Sequence, residues 1–255
     1  MSEGLRIEDR GPLRLLTIDR QARGNSLDPD TTGALLEAVV QADADPEVRA
    51  IIFTGVGHRF FCTGADIKAA AASGARSMRP ASSRRGLYET IVECAKPTIA
   101  AVNGVAAGGG CELVLACDLR VGEEQAKLIL PEAKRGMAAN FASIILPRTV
   151  PNAIAMEMLL LGEPMAMEAA HRWGLVNRIV PTGAALATAI GMGEAITRNA
   201  PLSLRRIKAH ARLSQGMPLA AALKLDEGPS PYDSEDRIEG FRAFLEKRDP
   251  RWQGR

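Results

Sequence analysis

Two stretches of this chain share one plan, and that repetition limits the folds open to it. "VRAIIFTG" is a continuous apolar run that leads into "FFCTGADIK". "KPTIAAVNG" is another, leading into "GVAAGGGCEL". Apolar runs ending in glycine fit strands buried on both faces. Each is followed by a glycine loop and a helix start, with Ala65 and Gly109 at matching places 44 residues apart. The repeat predicts stacked ββα turns, a parallel spiral rather than one open sheet.

Other signals fill in the frame. "LRIED" and "LRLLTI" flank "RGP" and read as a hairpin. Asp28 is a helix N-cap with Pro29 at the first helical position, and Leu35, Leu36, Val39 and Val40 give that helix an apolar face. Residues 69–83 are small, polar and basic, the composition of a mobile surface loop. "RRGLYETIVECA" reads as a helix, and "DLRVG" and "KLIL" as short strands. Beyond about residue 150 the strands are expected to stop, leaving helices over "NAIAMEMLLLG", "AMEAAHRWG", Ala184 to Arg198, "LSLRRIKAHARL" and "DRIEGFRAFLEKR". The expected organisation is an α/β core over residues 1–195 and a C-terminal helical region over 196–255, with no low-complexity linker.

The stretch "GVAAGGGCEL" poses the chemical question. A glycine triplet costs backbone entropy, and a carboxylate among apolar neighbours costs desolvation. Close packing at a strand-to-helix corner is one explanation for Gly108, Gly109 and Gly110. The other is a ligand site: glycines admit a close approach, and a helix start offers free N–H groups at its positive end. No acidic residue sits where a dinucleotide fingerprint needs one, and no Walker lysine-serine pair follows. Two such loops, at Ala65 and Gly109, can aim two N–H donors at one oxygen, an oxyanion hole for an enolate or a tetrahedral intermediate. Glu112 lies in a helix apolar all round, which predicts a carboxylate pointing into a cavity. Glu132 follows 20 residues later, after a proline. Paired acids in a cavity suit general acid–base chemistry.

Net charge is +2, which gives no bias toward nucleic acid or membrane. No apolar run is long enough to span a membrane, and "MSEGLRIEDR" has no signal core. Cys62, Cys94, Cys111 and Cys117 lack metal-ligand spacing and read as reduced core thiols of a cytosolic-type compartment. The histidines, His58, His171 and His210, are scattered, so no metal site is expected.

With these residues in view, the chain resembles the crotonase superfamily, the enoyl-CoA hydratases and isomerases. The resemblance rests on "NSLD", "FCTGADIK", "KPTIAAVNGVAAGGGCELVLACDLRV", "LPEAKRG", "RWGLVNRIVP" and "FLEKRDPRWQGR" and covers nearly the whole chain. It implies a crotonase-like ββα spiral core with a C-terminal helical region, assembled as a homotrimer or a dimer of trimers. It implies an acyl-CoA thioester as substrate, so that coenzyme A enters with the substrate and no separate cofactor is expected. By motif position the hole donors are the N–H groups of Ala65 and Gly109, and the paired acids are Glu112 and Glu132. Family isomerases generally keep only the later acid, so the pair favours hydration or the reverse dehydration. Arg23, Asn25 and Lys68 fall where the family places the nucleotide end of CoA, and Asn140 falls beside the acyl pocket.

Two segments depart from the family pattern. "RGMAANFASIILPR" stands where many members carry a Pro-Gly-x-Gly-Gly loop, with Asn140 and Phe141 in place of small residues. In "DEGPSPYDSED", Gly228, Pro229 and Pro231 should break a helix. Both point to an acyl group other than a simple straight chain. The alternative activities are an enoyl-CoA isomerase or a specialised hydroxyacyl-CoA dehydratase of the same family. A remoter one is a non-catalytic or RNA-binding member using Arg198, Arg205, Arg206, Lys208 and Arg212; no aromatic residue interleaves that run.

Overall fold

The computed structural model describes residues 4–72 and 86–255. The chain opens with the expected hairpin, β1 (Leu5–Arg10) against β2 (Leu13–Ile18), with Leu5 opposite Ile18. Helix α1 (Pro29–Ala44) is capped by Asp28, whose carboxylate accepts the Thr31 N–H at 2.8 Å. Its buried stripe is Thr31, Leu35, Ala38, Val39 and Ala42. Val40, expected on that face, is 51% exposed because it sits one residue, about 100°, past the stripe.

The repeat is structural. β3 (Ala50–Gly55), β4 (Phe60–Cys62) and α2 (Ile67–Ala72) form one turn, and α3 (Leu87–Glu93) leads into the next. β5 (Thr98–Val102), β6 (Val105–Ala107) and α4 (Gly109–Ala116) form the second. β7 (Leu119–Glu123) and β8 (Lys127–Ile129) begin a third. The first strand of each turn joins a six-stranded sheet in the order β1-β2-β3-β5-β7-β10, and the second joins a four-stranded sheet in the order β4-β6-β8-β9. Pairing between successive turns is parallel in both sheets. Residues 69–72 of the expected loop belong to α2, and its remainder lies outside the described residues.

The remaining elements are α5 (Ala142–Thr149), α6 (Asn152–Leu161), β9 (Met165–Ala166), α7 (Met167–Arg172), β10 (Arg178–Val180), α8 (Ala185–Thr197), α9 (Pro201–Leu213), α10 (Leu219–Ala222) and α11 (Glu235–Glu246). The strands therefore do not stop at 150. β9 runs antiparallel to β8, and β10 extends the larger sheet alongside β7. Each has three residues or fewer, too short for a period-2 pattern to emerge beside helical neighbours.

Side-chain alternation explains why the central strands are apolar throughout. On β3, Ile51 and Phe53 join the main core, while Ala50 and Ile52 pack on the opposite face with Ala185 and Ala189 of α8. β5 divides likewise, Ala100 and Val102 against Ile99 and Ala101. Helix α8 thus belongs to the core, and the expected boundary after residue 195 falls inside its last turn. No helix spans Leu225 to Asp233, so the Gly228, Pro229 and Pro231 segment breaks the helix as expected.

Candidate active site

The two glycine loops meet backbone to backbone. Gly64 has φ +78, and a Cβ there would stand 2.6 Å from the Gly109 nitrogen and 2.7 Å from the Ala107 oxygen. The Leu27 N–H donates to the Gly64 oxygen at 2.7 Å, and the Asp66 N–H to the Leu27 oxygen at 2.9 Å. In this parallel bridge the Ala65 N–H therefore points away from Leu27. Gly109 is the first residue of α4, so its N–H has no acceptor within the helix.

The three glycines of the triplet have separate reasons. Gly108 has φ +56, in the left-handed region that favours glycine, and its N–H donates to the Ile129 oxygen at 2.9 Å. A side chain at Gly109 would strike the Tyr88 hydroxyl, and one at Gly110 would strike the Cys62 carbonyl. Close packing and an open helix start are both present, at adjacent residues.

Glu132 lies against this turn, and Glu112 stands in the first turn of α4 that follows it. β6 pairs with β8 so that Ala107 faces Ile129, which carries the chain past Pro131 to Glu132 beside Gly108. A Cβ at Gly108 would lie 3.3 Å from the Glu132 Oε1. Glu132 is 9% exposed, and its Oε2 is buried with no hydrogen-bond partner among the described residues. Glu112, 8% exposed, accepts the main-chain N–H groups of Phe141 and Ala142 on Oε1, both at 3.0 Å. Burial raises both carboxyls above the usual carboxylate range. For Glu112 the Ala142 N–H opposes that rise and the Glu132 charge adds to it. Two buried acids beside a helix start can hold and move protons around a polar group bound between them.

Tyr88 and Glu89, on α3, were not marked by the sequence pattern. The Tyr88 ring lies 5.4 Å from the Phe141 ring at an interplanar angle of 39°. Burial, with Glu112 and then Cys62 and Glu132 adding, raises its phenol well above the ordinary value. The Glu89 charge reaches both Tyr88 and Glu112. A signal was available in composition: the chain has only two tyrosines.

The expected substrate-binding residues are placed unequally. Arg23 ends a 3-10 turn (Gln21–Arg23), Lys68 stands on α2, and both are exposed. Asn140 is exposed immediately ahead of Phe141. Asn25, expected near the nucleotide end of CoA, has its side chain engaged within the protein. It is fully buried at φ +53, accepts the Arg20 N–H at 3.1 Å, and donates to the Val56 and Phe60 oxygens at 3.0 and 2.8 Å. Its amide is spent on tying the loop to β4. Nearby, Arg20 pairs with Asp28 at 2.7 Å and Asp66 at 3.2 Å, bracing the segment that carries Ala65.

Elsewhere, all four cysteines are buried and free of disulfides, and burial raises Cys62, Cys94 and Cys117 to about 12. Among the described residues no cluster of His, Cys, Asp or Glu has the makings of a metal site, and no helix is long and apolar enough to cross a membrane.

A spiral of ββα turns with two glycine loops in contact defines a crotonase-fold enzyme, and the chain belongs to the enoyl-CoA hydratase/isomerase family, which it matches over residues 9–255. It is 40% identical to a carnitinyl-CoA dehydratase of Salmonella enteritidis over the full length of both chains. Among solved structures it resembles an enoyl-CoA hydratase from Mycobacterium tuberculosis H37Rv, at 37% identity and TM-score 0.89 over 99% of each chain. An enoyl-CoA hydratase from Bacillus anthracis superposes with TM-score 0.91 at 30% identity, over 99% of this chain and 100% of the other.

Proposed function

We propose that this enzyme adds water to a 2-enoyl-CoA thioester, or removes it in the reverse direction, through an enolate-like intermediate. The observation that carries this reading is a pair of buried carboxyls, Glu132 beside Gly108 and Glu112 in the first turn of the helix that Gly109 starts. The N–H groups of Ala65 and Gly109 take the thioester carbonyl oxygen and its developing charge. Glu132, with a free buried oxygen, exchanges the proton at the α-carbon. Glu112, held by the turn at Phe141, activates or releases the water at the β-carbon. The division of labour rests on the family's pattern, and the pair itself on the geometry.

Arg23 and Lys68 are exposed cations suited to the phosphates at the nucleotide end of CoA, and Asn140 borders the acyl end. Acids and main-chain donors supply the whole acid–base sequence, so the reaction needs no cofactor beyond the CoA of the substrate. We place the enzyme in the cytoplasm, in fatty acid or related acyl-CoA metabolism. It works as a homotrimer or a dimer of trimers. The support for assembly is the apolar outer face of the C-terminal helices, where Phe244 is 81% and Leu245 79% exposed.

A second reading, dehydration of a specialised 3-hydroxyacyl-CoA, is favoured by the full-length identity to carnitinyl-CoA dehydratases. The nucleic-acid alternative loses ground, because Arg206 is engaged with Asp226 and Lys208 with Asp118, each at 2.6 Å. A panel of enoyl-CoA thioesters varying in length, branching, ring content and charge, followed by loss of enoyl absorbance, tests the proposal. Hydration of some members supports it. Double-bond migration without water uptake would make the enzyme an isomerase.

A further inference from the structure

The Tyr88 hydroxyl stands at the start of α4, where a Cβ on Gly109 would have to go. In a helix the Cα–Cβ bond tilts toward the N-terminus, the same end at which the first N–H groups emerge. The phenol and the Gly109 N–H therefore open toward one side of the turn. The ring is held there by Phe141, whose own N–H holds Glu112. Among the described residues no hydrogen bond takes the Tyr88 hydroxyl. Glu112 and Glu132 both oppose its ionisation, so the phenol keeps its proton and has it to give.

We infer that Tyr88 is a catalytic residue: its hydroxyl donates a hydrogen bond to the thioester carbonyl oxygen, as a third donor beside the main-chain pair. No proton is transferred by it. As the α-proton leaves for Glu132, the carbonyl oxygen gains charge and the neutral phenol shortens its hydrogen bond to it. Backbone N–H groups are fixed by the fold, whereas this donor comes from a side chain and is removable without touching the main chain. The inference rests on the proposed enolate chemistry.

The test is Tyr88→Phe, which keeps the ring against Phe141 and removes only the hydroxyl. Two reactions are followed in wild type and variant: hydration of an enoyl-CoA, and exchange of the α-proton of the saturated acyl-CoA in deuterated water. Enolisation needs the carbonyl donors and Glu132 but no water at the β-carbon. We expect both rates to fall together by about 10²-fold in kcat, the scale of losing one such donor, with KM little changed. A fall in hydration alone would overturn the inference and put Tyr88 on the water side with Glu112. Unchanged rates would overturn it outright, leaving a packing role. If wild type hydrates nothing and exchanges nothing, the proposed function fails first, and the inference falls with it. Dissociation of the saturated thioester from both proteins, measured by calorimetry, shows that the site is intact.

Discussion

Gly64 and Gly109, from successive turns of the spiral, touch through their main chains: a Cβ on the first would lie 2.6 Å from the nitrogen of the second. Two loops of the same plan are thereby locked into one turn. Gly64→Ala meets backbone that cannot yield, at a φ of +78 that side chains rarely adopt. We expect a loss of about 1–3 kcal/mol in stability from strain. In the folded fraction kcat should fall by at least about 10²-fold as the donors separate. Urea unfolding and turnover measured together check this. A stable variant with normal kcat would mean that the contact does not set the site.

The two acids should separate by reaction. Glu112→Gln is expected to lower water addition by about 10²–10⁴-fold while leaving α-proton exchange of a saturated thioester largely in place. Glu132→Gln should suppress both. The double variant should lose less than the product of the two single losses, because groups acting as a unit are not additive. Normal hydration by Glu112→Gln would make that residue structural and favour a single-acid isomerase mechanism.

The raised carboxyl of Glu132 has a stability consequence with a fixed sign. Below the ordinary value of 4.5 the group is protonated in both folded and unfolded chains. As pH rises past 4.5 the unfolded carboxyl ionises first, the folded one resists, and stability is lost until pH passes the folded value. Glu132→Gln removes that loss. Its stability relative to wild type should therefore increase with pH across this window and then level off. Urea midpoints taken from about pH 4 to about pH 8 give the curve; an advantage that shrinks with rising pH would contradict the raised value.

Asn25 is expected to behave as a structural residue. Asn25→Ala strips hydrogen bonds from the Arg20 N–H and from the Val56 and Phe60 carbonyls. The cost should be about 1–3 kcal/mol for groups left unsatisfied in a buried setting. Chemical denaturation reads it directly. A variant of unchanged stability with weakened CoA affinity would restore the substrate-binding role.

Assembly is tested at the apolar face of α11. Phe244→Asp places a charge where the aromatic ring is 81% exposed in the single chain. Sedimentation should show wild type as a trimer or hexamer and the variant shifted to monomer, since a charge left unpaired in a buried interface is costly. Wild type running as an active monomer at micromolar concentration would end the assembly proposal.

The amino-acid sequence by itself determined the repeat and its consequences. Apolar strands ending in glycine, twice over, call for cover on both faces, and β3 and β5 have it, the main core on one side and α8 on the other. Asp28 with Pro29 settled where α1 starts, because the cap and the proline act locally. The apolar neighbours of Glu112 likewise announced its burial. Only the tertiary structure decided what each residue meets. β9 and β10 exist because sheet edges were there to pair with, a nonlocal cause with no trace in three residues or fewer. Asn25 sits among exposed-looking polar neighbours, yet its amide turns inward to carbonyls more than thirty positions away in the chain. Tyr88 was one aromatic in an ordinary amphipathic helix until the packing of α3 on α4 set its hydroxyl against Gly109. Periodicity and caps are short-range and can be read along the chain, whereas a hydroxyl, two carboxyls and a glycine turn share a site only once the layers have packed.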